Sequence, residues 1–204
     1  MSDETTIETW DRIADEFLRR RTRTLIEKRW LDRMVGVAPA DDGPRRLLDL
    51  GCGTGLPLAT YLSDRGLRVT GVDAAPRMLA HFRANLPRAE AHQVDMRDLA
   101  LGRPFDALLA WDSLLHLTPE EQRKMVPVFR RHAATGAALM FTTSAQPGET
   151  WKEAVAGAPV YHAALDPAEY RALLDENRFR LVDVRAEDPD CTDHSVWLAR
   201  FTGE

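Results

Sequence analysis

Cysteine is almost missing from this chain: of 204 residues, only Cys52 and Cys191 carry a thiol. Cys52 lies inside a glycine-rich loop, so a structural disulfide is not expected and a reducing cytoplasm is the expected setting. A basic surplus is missing as well. Lys and Arg number 27 against 32 Asp and Glu, a net charge of −5, which speaks against nucleic acid or an anionic membrane as partner. No apolar run approaches the ~18–20 residues that a membrane span needs. The start, Met1-Ser2-Asp3-Glu4, is acidic and lacks the basic-then-apolar order of a signal peptide. Internal repeats and low-complexity tracts are absent too. What remains, 44% apolar and 29% charged residues, suffices for one core, at most with a modest appendage.

Among the features present, Leu47-Leu48-Asp49-Leu50-Gly51-Cys52-Gly53-Thr54-Gly55 says most. A short apolar run ends in a loop with glycine at every second position, and an amphipathic segment follows. That order predicts a buried strand, a tight turn and a helix. Alternating glycines let main chain approach a ligand with no side chain in the way. In open α/β sheets, nucleotide-like ligands sit beyond such strand ends.

Residues 5–37 read as helix, with Trp10, Ile13, Ala14, Phe17 and Leu18 on one stripe and Ile26, Trp30 and Met34 resuming it. Arg19-Arg20-Arg21-Thr22-Arg23 bends or breaks that stripe, and Pro39 to Pro44, with Asp41, Asp42 and Gly43, is a turn-rich link. The expected division is a helical cap, 1–40, and a main domain, 41–204. In the latter, strands are predicted at Arg46–Leu50, Leu67–Val72, Ala91–Val94, Phe105–Trp111, Ala137–Thr143, Arg180–Ala186 and Ser195–Phe201. Helices follow the first strand (Leu58, Ala59, Leu62) and open at Pro76, at the capping box Thr118-Pro119-Glu120-Glu121 and at Asp166-Pro167. Pro127 is expected to kink or restart its helix. Alternating strands and helices imply a mostly parallel sheet with helices on both faces. The last two strands are joined by a loop too short for a crossover, so they form an antiparallel hairpin at the sheet edge.

The dinucleotide fingerprint wants glycine at its first, third and sixth positions. Counted from Gly51 the sixth residue is Leu56, which disfavours a nicotinamide-dependent oxidoreductase. The loop Asp49-x-Gly51-x-Gly53-x-Gly55 instead resembles the first motif of class I S-adenosylmethionine-dependent methyltransferases. Three more strand ends agree: Val72-Asp73 with Ala74, Pro76 and Met78 behind it, Val94-Asp95-Met96, and Phe105-Asp106-Ala107-Leu108-Leu109-Ala110-Trp111-Asp112. The resemblance covers about residues 46–202, including the closing hairpin. It implies a Rossmann-like α/β fold with a seven-stranded sheet and S-adenosyl-L-methionine as cofactor. The donor site would comprise Asp49, Gly51, Cys52, Gly53, Gly55, Asp73 (on the ribose hydroxyls), Ala74, Met78, Asp95 (on the adenine amino group) and Met96. Trp111 would stack on adenine or wall the substrate. Trp111-Asp112-Ser113 stands where amino-methylating DNA enzymes carry an acid- or asparagine-Pro-Pro-aromatic motif, so base methylation loses support.

The expected reaction is methyl transfer to O, N or S of a small-molecule acceptor by a monomer or homodimer. The rival reading is a catalytically idle donor-binding module. Methyl transfer needs acceptor and methyl held in line and water excluded; an acceptor with a proton to lose can also use a general base. His116, just after the fourth strand, is the first candidate base, with His162 in a loop-rich stretch as the second and Asp112 as a polar contact to the acceptor. His81, His92 and His132 sit on predicted helices or beside a strand and are read as structural, and His194 ranks below His116 and His162. Trp10 and Phe17 on the first helix and Trp151 in the same loop-rich stretch are expected lids. Arg20 or Arg21 would meet the donor's carboxylate or an anionic substrate. No residue cluster has metal-ligand spacing; Cys191 and His194 alone do not make one.

Overall fold

Thr5 accepts a hydrogen bond from the Glu8 backbone N–H while the Glu8 carboxylate takes one back from Thr5, and this capping box starts α1 (Thr6–Arg20). The computed structural model describes residues 5–40, 43–191 and 194–203. Asp41 and Asp42 of the expected link, Met1 to Glu4, and Thr192 and Asp193 of the last connection lie outside them. The helical stripe breaks after the arginine run, and α2 (Lys28–Val37) resumes it with Trp30, Leu31 and Met34 buried.

Strands and helices then alternate: β1 (Arg46–Leu50), α3 (Leu58–Asp64), β2 (Arg68–Asp73), α4 (Pro76–Asn85), β3 (Glu90–Gln93), β4 (Phe105–Ala110), α5 (Pro119–His132), β5 (Ala133–Thr143), β6 (Gly148–Glu153), β7 (Pro159–Ala164), α6 (Pro167–Glu176), β8 (Phe179–Asp188) and β9 (His194–Phe201). Seven strands form one sheet in the order β3-β2-β1-β4-β5-β9-β8, parallel from β3 to β5, with β9 antiparallel to both β5 and β8. Strand order reverses between β1 and β4, which opens a crevice at their carboxyl ends.

Successive residues of each strand serve opposite layers. Leu47, Leu109, Met140 and Leu198 pack under α2, α3 and α4, whereas Leu48, Leu108, Leu139 and Ala199 pack under α5 and α6. Both faces are covered, so the parallel strands read as unbroken apolar runs. Each fully buried Leu or Met contributes roughly 1.5–3 kcal/mol relative to exposure.

α1 stands outside these layers and rests on α4. Asp11 accepts the Arg77 backbone N–H at 2.7 Å, capping an α4 terminus whose own N-cap, Ala75, offers no side-chain bond. Asp15 receives Arg77 and His81 at 2.5 and 2.8 Å.

Two local expectations are revised. α5 runs through Pro127 without restarting. Pro127 and Arg123, the residue whose carbonyl the proline leaves unpaired, are both on the exposed side, where water can satisfy that carbonyl. The loop-rich stretch around Trp151 and His162 is a two-stranded antiparallel sheet, Trp151 pairing with Tyr161 and Thr150 with His162. Every residue of β6 is exposed, so it shows no apolar alternation from which a strand is read.

Candidate active site

A cavity of about 700 Å³ lies over the carboxyl ends of β1 and β4. It is roofed by α1 and by the β6–β7 hairpin, since β7 touches both α1 and the turn Leu114–His116. Its walls include Trp10, Asp49, Gly51, Cys52, Gly53, Gly55, Asp73, Ala74, Met78, Asp95, Met96, Trp111, Asp112, His116 and His162. Arg20 is not among them. It sits one position too early on α1, points outward and pairs with Glu16. Of Arg20 and Arg21 it is Arg21 that reaches the cavity, bonded at 3.0 Å to the buried Glu27.

At one end is the glycine loop. All three glycines have left-handed backbone, with φ of +72°, +53° and +76° for Gly51, Gly53 and Gly55, yet they do different work. A Cβ on Gly51 would fall 2.4 Å from Ser113 Cβ, and one on Gly55 2.5 Å from Leu86 Cδ1, whereas one on Gly53 would meet nothing. Only Gly53 leaves open space; the other two let the loop pack. Asp73 ties the loop to β2 by accepting the Gly53 N–H at 2.8 Å and the Ala75 N–H at 2.9 Å. Burial pushes its carboxyl up, against the N–H groups of Ala75, Gly53 and Ala74. Each Asp73 oxygen retains lone-pair capacity toward the cavity.

No hydrogen bond reaches the Asp49 carboxyl among the described residues. Burial, and secondarily the charge of Asp73, raise it to about 7. An unpartnered buried acid of this kind favours a cationic ligand group beside it. Asp95 is clamped by Arg97, whose backbone N–H and Nε bond Oδ1 at 2.9 Å while Nη2 bonds Oδ2 at 2.5 Å. Burial pushes this carboxyl up, but Arg97 outweighs it and the group ends below its usual range. Cys52 is buried, and its thiol is raised well above the ordinary value by that burial and by Asp49 and Asp73, which disfavours the nucleophilic thiolate.

At the other end three imidazoles meet. His116 and His162 have ring centroids 4.9 Å apart, and His162 and His194 6.5 Å. Trp10 packs 5.2 Å from His116, and its Nε1, like His162 Nδ1, is buried with no hydrogen-bond partner among the described residues. His116 Nδ1 lies 2.9 Å from the Tyr161 carbonyl, which assigns the proton to Nδ1 and the lone pair to Nε2. Burial lowers the affinity of His116 for a second proton and pushes His162 down to about 3. His194 Nδ1 meets Asp112 Oδ1 at 2.8 Å. Burial pushes the Asp112 carboxyl up, but His194, Arg21 and Thr142 hold it below its usual range.

The remaining histidines are structural: His132 bonds Leu101 and Val128 backbone, His81 bonds Asp15 and His92 bonds Glu90. Sequence reasoning underrated His194 and did not single out Ser113. The available signal for His194 was topological, because the start of an antiparallel strand lands on the edge where parallel strands end. Among the described residues, no group of three or more His, Cys, Asp and Glu could hold a metal, and no helix is long and apolar enough to cross a membrane.

A doubly wound sheet with a glycine loop and acids at three successive strand ends defines the class, an adenosyl-binding α/β enzyme fold. A family profile described as a methyltransferase domain matches residues 47–136. The magnesium-protoporphyrin O-methyltransferase of Rhodobacter capsulatus is 34% identical over 152 residues, 70% of this chain and 66% of that protein. A dTDP-3-amino-3,4,6-trideoxy-α-D-glucopyranose N,N-dimethyltransferase of Streptomyces venezuelae is 38% identical over 96 residues, 46% of this chain and 40% of that one. The solved CcbJ methyltransferase of Streptomyces caelestis superposes with a TM-score of 0.76 at 20% identity, covering 99% of this chain and 100% of that one. The chain belongs to the class I S-adenosylmethionine-dependent methyltransferases. It spans about 40% to 66% of the length of these two curated relatives.

Proposed function

We propose that this protein transfers a methyl group from S-adenosylmethionine to N or O, or S, of a small organic acceptor. The observation that carries this reading is one continuous cavity joining the open Gly53 and the unpartnered Asp49 to the His116–His162–His194 chamber. Bound S-adenosylmethionine supplies an electrophilic methyl on a sulfonium. The residues present fit it. Asp49, with no hydrogen-bond partner among the described residues, suits the donor's ammonium; Asp73 has lone pairs left for hydroxyl donors; Gly53 leaves the seat clear. Trp111 and Met78 supply apolar walls. Asp95 would read adenine only with the lone pairs Arg97 leaves. Trp10 and the β6–β7 hairpin exclude water from the chamber, which strengthens its polar interactions and keeps acceptor and methyl aligned. The likeness to an amino-sugar N-methylating relative and to a porphyrin O-methylating one supports acceptors that offer N or O. His116 and His162 wall the acceptor, and the cavity's lining holds no run of basic side chains that would suit a nucleic acid.

Calorimetry tests this first. S-adenosylmethionine should bind at micromolar concentration, and Asp73→Ala should abolish binding; no binding by the wild type at millimolar donor refutes the reading. Release of S-adenosylhomocysteine with a panel of nucleotide-linked amino sugars, phenols and carboxylic acids then marks an enzyme. Donor binding with persistent silence marks the idle module.

A further inference from the structure

We infer that His194, oriented by Asp112, takes the proton that the acceptor loses, a role the sequence places on His116. The inference rests on the methyl-transfer reading. Three imidazoles border the chamber, and they differ in what stands behind Nδ1: a carbonyl for His116, no hydrogen-bond partner among the described residues for His162, and a carboxylate 2.8 Å away for His194. A carboxylate both fixes the tautomer, leaving the Nε2 lone pair free, and stabilises the imidazolium once formed. A carbonyl does the first and far less of the second, and burial makes both His116 and His162 weaker bases than a free imidazole.

Asp112 is built into place for this. It follows β4 in left-handed backbone, φ +49°, an uncommon conformation for aspartate. Its N–H donates to Thr142 Oγ1 at 2.8 Å, and the Thr142 hydroxyl donates back to Oδ1 at 3.2 Å. Among the described residues, the other titratable or charged groups coupled to the dyad are Arg21 at the end of α1, Glu27 before α2, His116 after β4, His162 on β7 and Cys191 shortly before β9. Arg21 favours an ionised Asp112 and is itself held by Glu27. Strained backbone held by surrounding bonds is a feature of functional positions.

In the step, the acceptor's lone pair forms the new bond to the methyl carbon while the carbon–sulfur bond breaks and leaves its electron pair on sulfur. The acceptor's proton passes to His194 Nε2, and solvent later removes it. Asp112 touches no reacting atom and is a positioning residue.

The test begins with ¹⁵N ring spectra of the wild-type protein saturated with S-adenosylhomocysteine. His194 should carry its proton on Nδ1, and Asp112→Asn should shift it toward Nε2. With the acceptor found by the panel, His194→Gln should keep donor affinity and lower kcat about 100- to 10,000-fold. His116→Gln should cost less. A wild-type His194 protonated on Nε2 overturns the inference, as does His194→Gln with unchanged kcat, or a larger loss in His116→Gln. The wild-type spectrum needs no variant to fold. Absent donor binding takes down the methyl-transfer reading instead, on a measurement that the histidines do not enter.

Discussion

Alanine at each of the three loop glycines should separate packing from ligand access. All three positions have left-handed backbone, where an alanine costs about 1–2 kcal/mol on that account alone. At Gly53 nothing is added, because the new methyl meets no protein atom within 4 Å. At Gly51 it falls 2.4 Å from Ser113 Cβ, and at Gly55 it falls 2.5 Å from Leu86 and 2.9 Å from Phe82. Overpacking of that kind adds about 1–3 kcal/mol, for a total of roughly 2–5 kcal/mol. At about 2–4 °C per kcal/mol for a chain of this size, Gly53→Ala lowers Tm by roughly 2–8 °C and the other two by roughly 4–20 °C. Donor affinity should run the other way. The Gly53→Ala methyl occupies the space left for the ligand and weakens S-adenosylhomocysteine by about tenfold or more, or ~1.4 kcal/mol. Thermal unfolding paired with calorimetry reads both. If Gly53→Ala binds within roughly twofold of wild type, or loses more Tm than Gly51→Ala, the assignment of an open seat at Gly53 is wrong.

Other consequences follow from the charges. Asp49 binds its proton more tightly in the folded protein, with a value of about 7 against an ordinary 3.8, so folding is favoured at low pH. Stability should fall between about pH 4 and pH 7 by roughly 4 kcal/mol at the outside and then level; Asp49→Asn should flatten that slope, and parallel melting curves for the two proteins would count against it. Donor affinity should rise through the same window as the carboxyl ionises, and stay flat in Asp49→Asn by calorimetry. Arg21→Ala strands the buried Glu27, which costs about 3–5 kcal/mol when the partner stays charged. Because burial already raises the Glu27 carboxyl, the loss should shrink in mild acid, where Glu27 neutralises. Arg20→Ala, with an exposed partner pair, should change urea stability by under about 0.5 kcal/mol.

Much of the sheet was legible because its physics is local. Leu47–Leu50, Val69–Val72 and Leu108–Ala110 are buried on both faces; the first run ends at Gly51, the second at Asp73, and the third continues through Trp111 to Asp112. The caps at Thr118 and Asp166 are likewise written in adjacent residues. β6 was not legible, because its pairing with β7 is held by backbone and every one of its residues is exposed. Nor was the fate of Pro127, which depends on which side of α5 faces water.

The donor half of the site follows the same rule and the acceptor half breaks it. Asp49, Asp73 and Asp95 each close a parallel strand, and parallel strands end on one edge, so their convergence follows from order along the chain. The acceptor chamber draws on elements that reach that edge by other routes: α1 laid over α4, a hairpin, and an antiparallel strand whose beginning, not its end, faces the crevice. His194 therefore lies 82 positions after Asp112 yet bonds it at 2.8 Å, through a register set by Thr142 pairing with Val196 and Thr143 with Ser195. A histidine read by its sequence neighbours is ranked by proximity to a motif, which favours His116. Ranked by what lies behind its ring, it is the carboxylate partner that decides, and that partner is fixed only when β9 takes its place between β5 and β8.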